Sequence, residues 1–320
     1  MTRLPLTLAC TASDRTRPIL DGRVSVPGVD FTVLPGEPED IFRRALRDRA
    51  FDVSELSMGS HITTTARGDG SYIGVPVFPS RAFRHSAVYI RTDRGIAGPA
   101  DLAGRTIGLP EYQQTAALWV RGFLRDRYGV DTRRIAWRTG GERVPISLPD
   151  GLDVRPMGED LQAALAAGRI DALVAPRPPA ALADLDAPVG RLWPDYRAEE
   201  MAWHHATGFF PIMHCIAVRR DVAERHPWLP VELFRAFARA RAIALEELQL
   251  VNVLRVSLPW IAAAYEEQAA AMGGDPWPYG FARNRDEIAA MTRFAAEDGL
   301  AEQAVAPEAL FHPSTLGEVA

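Results

Sequence analysis

The chain has 320 residues, 47% of them hydrophobic and 24% charged, with a formal net charge of -5. That length can bury a large core and tends to divide into two lobes, and the composition is that of an ordinary globular protein. The acid excess removes nucleic acid as an expected partner, because such binding rests on clustered positive charge. It also means that a bound anion must be held by local arginines. The two cysteines, Cys10 and Cys215, are too few and too far apart for a disulfide framework or a metal knuckle, which favours a reducing compartment.

In the first ten residues Leu4, Leu6 and Leu8 alternate as in a half-buried strand. Their apolar run is too short for a secretory leader, which needs an apolar stretch of ~7–15 residues. A cytoplasmic protein is expected. No segment approaches the ~18 consecutive apolar residues of a membrane span.

Strands are expected at 4–9, 29–34, 51–56, 72–78, 87–91, 105–109, 135–137, 170–175 and 215–218. Helices are expected at 39–49, 115–127 and 159–167, the last ending at Gly168. This alternation argues for an α/β protein with largely parallel sheets. After Asp221 the segments 228–250, 259–272 and 284–296 all read as helices, so a helical C-terminal region is expected.

Several places could carry chemistry. The strand at 51–56 brings Glu55 to its end, followed by Ser57, Gly59 and Ser60. A buried acid is costly unless paired, so Glu55 reads as an ion-pair partner or an acid/base group. Next comes Phe78-Pro79-Ser80-Arg81-Ala82-Phe83-Arg84-His85-Ser86. Arg81 and Arg84 are planar carboxylate binders, and His85 suits proton transfer near neutral pH. A solvated surface turn is the competing reading.

The strand at 105–109 runs into Pro110-Glu111-Tyr112-Gln113-Gln114-Thr115. In an α/β lobe, ligands bind beyond the carboxyl ends of strands, and a helix start there favours a carboxylate. Tyr112, Gln113 and Thr115 are candidate hydrogen-bonding groups, against the alternative of an ordinary helix start. Arg177, between Pro176 and Pro178, is a candidate second clamp or an exposed turn residue. His204, His205 and His214 fall within eleven residues. A wet loop for His204 and a satisfied buried histidine for His214 compete with an active role. The spacing gives no local zinc set, although a divalent ion held by Glu55 and dispersed histidines stays open. No dinucleotide, P-loop or serine-hydrolase motif is present, so no organic cofactor is expected.

Residues 161–173 (helix, tight turn, strand) and 101–109 (turn, strand) resemble pieces of the two-lobed, type II periplasmic-binding-protein-like fold. That resemblance implies a discontinuous lobe of residues 1–85 and 219–320, a second lobe of residues 86–218, and a ligand cleft between them. The crossings are expected near 86–91 and 214–219.

Six stretches taken together resemble the 4,5-dihydroxyphthalate decarboxylase family. They are Ser54-Glu55-Leu56-Ser57, the Phe78–Ser86 block, Gly108 through Ala117, Arg191-Leu192-Trp193-Pro194-Asp195-Tyr196, Phe210-Pro211-Ile212-Met213-His214 and Trp277-Pro278-Tyr279-Gly280. The resemblance implies non-oxidative loss of CO2 from a hydroxylated aromatic dicarboxylate. On that basis Arg81 and Arg84 are expected to hold the retained carboxylate. His85 is expected to protonate the ring, with His214 as acid/base partner on the phenol and Glu55 orienting one of them. Tyr112, Gln113, Thr115 and Ser57 would bind the substrate, with Arg177 clamping from the other lobe. The expected partner is a small aromatic carboxylate; homo-oligomerisation is left open. A non-catalytic binding protein, or an enzyme of the same fold acting on another aromatic or heteroaromatic acid, are the alternatives.

Overall fold

The computed structural model describes residues 3–142 and 144–320. The chain begins with β1 (Leu4–Cys10), α1 (Arg17–Leu20), β2 (Val29–Pro35), α2 (Pro38–Asp48), β3 (Val53–Ser57), α3 (Met58–Ala66) and β4 (Tyr72–Arg81). It continues with β5 (Val88–Arg91), β6 (Thr106–Leu109), α4 (Thr115–Asp126), β7 (Ala136–Thr139), β8 (Val154–Pro156), α5 (Leu161–Ala166), β9 (Ala172–Val174), β10 (Val189–Arg191) and α6 (Tyr196–Thr207). Then come β11 (Ile212–Arg219), α7 (Arg220–Arg225), α8 (Leu229–Glu247), α9 (Ile261–Ala271) and α10 (Phe281–Glu297).

Two mixed sheets result. The first has the order β2-β1-β3-β11-β4 and the second β10-β5-β9-β6-β7-β8. β1 runs parallel to β2 and β3, whereas β11 is antiparallel to both β3 and β4. In the second sheet β9, β6, β7 and β8 are mutually parallel, β5 is antiparallel to β9, and β10 at the edge is antiparallel to β5. The central strands β3 and β9 are buried at every position, as expected for strands covered on both faces.

The chain leaves the first sheet after β4 and returns to it with β11, so the return crossing lies before Ile212. The expected position, 214–219, falls inside β11, a strand of the first sheet. β11 is antiparallel and its strand partners come from far earlier in the chain, so local pattern gave no clue to its sheet. The two crossings touch, with Ala82 N donating to Pro211 O at 3.0 Å.

α10 holds this junction. Its buried Glu287 accepts from Ile212 N at 2.6 Å and lies 3.2 Å from Arg81. Its far end reaches the second unit, where Asp298 pairs with Arg121 at 2.6 Å and Arg125 at 2.5 Å, both on α4. The helical C-terminal region is therefore present as read, but it is not confined to the first lobe.

α3 and α6 were not anticipated. The α3 sequence Met-Gly-Ser-His-Ile-Thr-Thr-Thr-Ala is rich in poor helix formers, and burial stabilises it in place of propensity. α6 contains His204 and His205, so neither lies in a loop. Among the described residues no helix is long and apolar enough to cross a membrane.

Candidate active site

The site grows out of the β3–β11 pairing. His214 faces Ser57 and Ile216 faces Glu55 across the antiparallel ladder. Residues two apart share a face, so Glu55, Ser57 and His214 point the same way, and Glu55 and His214 are diagonal neighbours. Register shifts in the β11–β4 pairing flank His214 on both sides, the kind of irregularity that re-aims a side chain.

His214 Nδ1 lies 2.6 Å from Glu55 Oε1. The other carboxylate oxygen accepts from the Thr11 backbone N–H and the Thr11 hydroxyl, each at 2.7 Å. The Glu55 side chain is wholly buried. Burial alone pushes a carboxyl pKa up; the His214 hydrogen bond and charge, with the two Thr11 bonds, outweigh it and hold Glu55 below its ordinary value. The pair fixes His214 with Nδ1 on the carboxylate, and Nε2 makes no hydrogen bond among the described residues. Phe42 of α2 packs edge-on against the imidazole at 4.8 Å between centroids.

His214 lines a cavity of about 260 Å³ between the two units. Its polar lining includes Ser57, Ser60, Arg84, Gln114 and Thr115, and its apolar lining includes Phe42, Val144 and Met213. A larger cavity of about 600 Å³ shares Arg43, Gln114 and Arg177 with it.

Two helix starts meet at this cavity. Ser57 is the N-cap of α3, and its hydroxyl lies 2.8 Å from the hydroxyl of Thr115, the first residue of α4. Thr115 Oγ1 also accepts from Gly59 N at 2.9 Å. Gly59 is required here: a Cβ would fall 2.2 Å from the carbonyl oxygen of Gln113.

The arginines separate. Arg84 faces the cavity, with Nε against Met213 Sδ at 3.2 Å and no ion pair among the described residues. Burial lowers its pKa to about 10, which leaves it charged at neutral pH. Arg81 is spent elsewhere. It donates to Phe210 O at 2.6 Å, to Pro278 O at 2.9 Å and to Asn284, and it pairs with Glu287. Arg81 is thus a structural tie at the junction, and the expectation of a substrate clamp is corrected. Nothing in the local pattern separates two arginines three positions apart near a strand end.

His85 also departs from expectation. It is buried and stacks on Phe123 with ring centroids 4.1 Å apart and planes 7° apart, with Trp193 edge-on at 5.0 Å. Neither ring nitrogen has a partner among the described residues. Burial, with the nearby charge of Arg127, lowers its pKa to about 4. It lines none of the described cavities, so its placement gives it no route to a ring in the cleft. Tyr112 is likewise buried, under Arg121, with its hydroxyl 3.3 Å from Asp298 O.

Gln113 is fully buried with an unpartnered side chain outside the cavity, whereas its neighbour Gln114 lines the cavity and has a buried, unpartnered Oε1. The predicted loop is in the site, with the working position one residue later. Arg177 sits on the rim, 71% exposed, and pairs with Glu37 of the facing unit at 2.7 Å. Thr11 was missed. It follows the carboxyl end of β1, the position where α/β ligand sites form, and that rule applied to every strand would have found it. Among the described residues no three His, Cys, Asp or Glu side chains gather as a metal-holding group.

No protein-family model matches the chain. Over 328 aligned positions it is 42% identical to the 4,5-dihydroxyphthalate decarboxylase of Comamonas testosteroni, covering 99% of this chain and 98% of that one. The chain belongs to the 4,5-dihydroxyphthalate decarboxylase family. A second member, from Pseudomonas putida, is 41% identical over 218 positions, covering 65% of this chain and 84% of the relative. The six stretches singled out in the sequence thus marked a true relationship, although Arg81, His85 and Tyr112 within them line neither cavity of the cleft.

Solved structures give the fold of this decarboxylase-family chain. It superposes on the periplasmic aliphatic sulphonate-binding protein SsuA of Escherichia coli with a TM-score of 0.55 at 13% identity, covering 99% of this chain and 100% of that one. The alkanesulfonate-binding SsuA of Xanthomonas axonopodis gives 0.56 at 15% identity, covering 97% and 98%. The two-lobed binding-protein architecture is therefore shared.

Proposed function

We propose that the chain is a carboxy-lyase that releases CO2 from 4,5-dihydroxyphthalate by protonating the ring carbon that bears the departing carboxylate. The observation that carries this reading is the Glu55–His214 pair, opening on a cavity that also holds the unpaired Arg84 and an apolar wall. The names of the two relatives supply the substrate.

The ring hydroxyl para to the departing carboxylate pushes electron density to the ipso carbon. The His214 imidazolium, with Nδ1–H on Glu55, delivers the proton from Nε2 to that carbon. The C–C bond then breaks, its electron pair returns to the ring, CO2 leaves, and His214 recovers a proton from solvent. Glu55 stabilises the imidazolium and fixes its orientation, as a carboxylate does for a catalytic histidine.

Arg84 suits the retained carboxylate. A guanidinium gripping the departing group would oppose its loss as a neutral molecule. Phe42, Val144 and Met213 instead offer an apolar surface to the forming CO2. The Ser57–Thr115 hydroxyls and Gln114 Oε1 suit the ring hydroxyls, since a buried unpartnered acceptor calls for a donor. A cytoplasmic setting is supported by the two cysteines, both free and buried.

The test is CO2 release from 4,5-dihydroxyphthalate by purified protein, with and without a chelator. Release in both conditions is the expected result. Release lost on chelation would assign Glu55 and His214 to metal binding. A raised melting temperature without CO2 would mean a binding protein or an enzyme for another aromatic acid.

A further inference from the structure

Decarboxylation driven by a ring hydroxyl needs a base for that hydroxyl as well as an acid for the ring carbon. The hydroxyl lies across the ring from the carbon that His214 protonates, so it points away from His214. The cavity at His214 holds about 260 Å³, below the ~300–1,000 Å³ usual for a ligand site. A ring seated there reaches on past Gln114 into the adjoining cavity of about 600 Å³.

Glu142 stands in the wall of that second cavity. It follows the carboxyl end of β7, where α/β ligand sites form. Gly140 N donates to Pro110 O at 3.0 Å, which lays this turn against the start of the 110–114 loop. Glu142 is then held from both units. Its backbone carbonyl accepts from Arg47 of α2 at 3.0 Å, and its Oε1 accepts from Tyr112 N at 3.2 Å. Its Oε2 is buried with no partner among the described residues, and so is Oε1 of Gln114 in the same wall. A buried acceptor without a donor is costly. Two such acceptors in one wall call for two donors, and a pair of neighbouring ring hydroxyls supplies them.

We propose that Glu142 is the base for the ring hydroxyl para to the departing carboxylate. The assignment rests on the decarboxylase reading and completes its proton balance. As His214 delivers its proton to the ipso carbon, the hydroxyl proton passes to Glu142 Oε2 and the C–O bond becomes a carbonyl of the dearomatised ring. When the C–C bond breaks, its electron pair restores the ring, the oxygen takes its proton back from Glu142, and CO2 leaves. Glu142 ends each turnover as it began, and only His214 needs a proton from solvent.

The surroundings suit that task. Burial, with the neighbouring charge of Glu111, raises the Glu142 pKa above the ordinary carboxyl value, against the opposing pull of the Tyr112 bond, the Thr139 hydroxyl and the Arg121 charge. A carboxylate raised in this way is a better match for a phenolic proton.

Calorimetry and steady-state kinetics test the assignment together. Glu142→Gln keeps an Oε1 for Tyr112 N but turns Nε2, which takes no proton, toward the hydroxyl. Its melting temperature should match the wild type. On 4,5-dihydroxyphthalate its kcat should fall by ~10²-fold or more, with KM changed far less, and Glu142→Asp should recover part of the loss. Binding of the product 3,4-dihydroxybenzoate reads the contact without turnover. Its 3-hydroxyl is the group once para to the lost carboxylate, and 4-hydroxybenzoate lacks it. Glu142→Gln should weaken the first ligand several-fold and leave the second unchanged, a difference that a merely structural role would not produce. Equal kcat in the wild type and Glu142→Gln would overturn the assignment and leave the decarboxylase in place, as would an equal loss of affinity for both ligands. A wild-type chain that releases no CO2 removes the decarboxylase reading itself, and the base with it.

Discussion

His214 and Glu55 meet across a diagonal of the β3–β11 ladder, Nδ1 to Oε1 at 2.6 Å, with Nε2 left toward the cleft. One group presents the proton and the other fixes its direction. His214→Gln is expected to lower kcat by ~10²–10⁴-fold, the range for a lost general acid, with KM changed far less. Glu55→Gln should keep the packing but lose the charge that supports the imidazolium, and kcat should fall with it. Steady-state kinetics on 4,5-dihydroxyphthalate decide the matter; a full-speed His214→Gln enzyme would remove the proposed mechanism.

The same carboxylate sets an acid limit on stability. Glu55 has a folded pKa below its ordinary 4.5, so the unfolded chain binds the proton more readily. Its contribution is complete above about that ordinary value and is lost as pH falls through the folded pKa. Denaturant titrations from pH 6 downward should show this loss in the wild type and not in Glu55→Gln, measured as the difference between the two curves.

Thr11 acts through Glu55. Thr11→Val removes the hydroxyl bond and keeps the backbone one, so the carboxylate is less stabilised and its pKa rises. The acid limb of the kcat/KM profile should move to higher pH and kcat should fall several-fold, while Thr11→Ser restores both. A Thr11→Val enzyme with an unmoved pH limb would reduce Thr11 to packing.

Much of the frame and part of the site were legible in the sequence. Strand–helix alternation gave the α/β class, strand ends gave Glu55 and Thr115, the Arg-His cluster gave Arg84, and the family resemblance gave His214 its role. What stayed hidden depends on long-range pairing. Nothing near Arg81 shows that Glu287 and Asn284, some two hundred residues later, will claim it. His85 reads as reactive until Phe123, Trp193 and Trp203 are seen to box it in. β8 and β10 are three-residue strands at the two sheet edges, too short for any alternation to register.

The two arginines should fail differently. Arg81→Gln leaves Glu287 buried beside a lost cation, a change that costs roughly 3–5 kcal/mol when one partner of a buried pair is removed. A large fall in melting temperature is expected. Arg84→Gln removes no ion pair, so stability should change little while KM for the dicarboxylate rises at least tenfold. Equal stability loss in both variants would mean that Arg84 is structural too.

His85→Phe is expected to retain turnover, since among the described residues the ring nitrogens bond nothing and the site is an aromatic box. It should also change the pH dependence of stability. The wild-type histidine falls from 6.5 to about 4 on folding, so between those values the unfolded chain takes up the proton. Wild-type stability is therefore lost as pH drops from 6.5 toward 4, by a total on the order of 3 kcal/mol. The phenylalanine variant lacks that loss and should be relatively more stable near pH 4. Two parallel stability curves would show that folding does not lower the His85 pKa.

Gly59 sets how closely the two helix starts approach. A methyl group there meets Gln113 O at 2.2 Å, Thr115 N at 3.2 Å and Thr115 Cα at 3.3 Å. All three are backbone atoms, so no side chain can swing aside. Gly59→Ala must push α3 and α4 apart, breaking the Gly59 N–Thr115 bond and parting Ser57 from Thr115. Overpacking of this kind costs roughly 1–3 kcal/mol, and KM should rise as the hydroxyl subsite widens. Gly317→Ala, where a Cβ meets nothing within 4 Å, is the control and should leave both melting temperature and KM in place. If Gly59→Ala behaves like the control, the contact between the helix starts is looser than 2.2 Å implies, and the Ser57–Thr115 pair loses its role in positioning the ring.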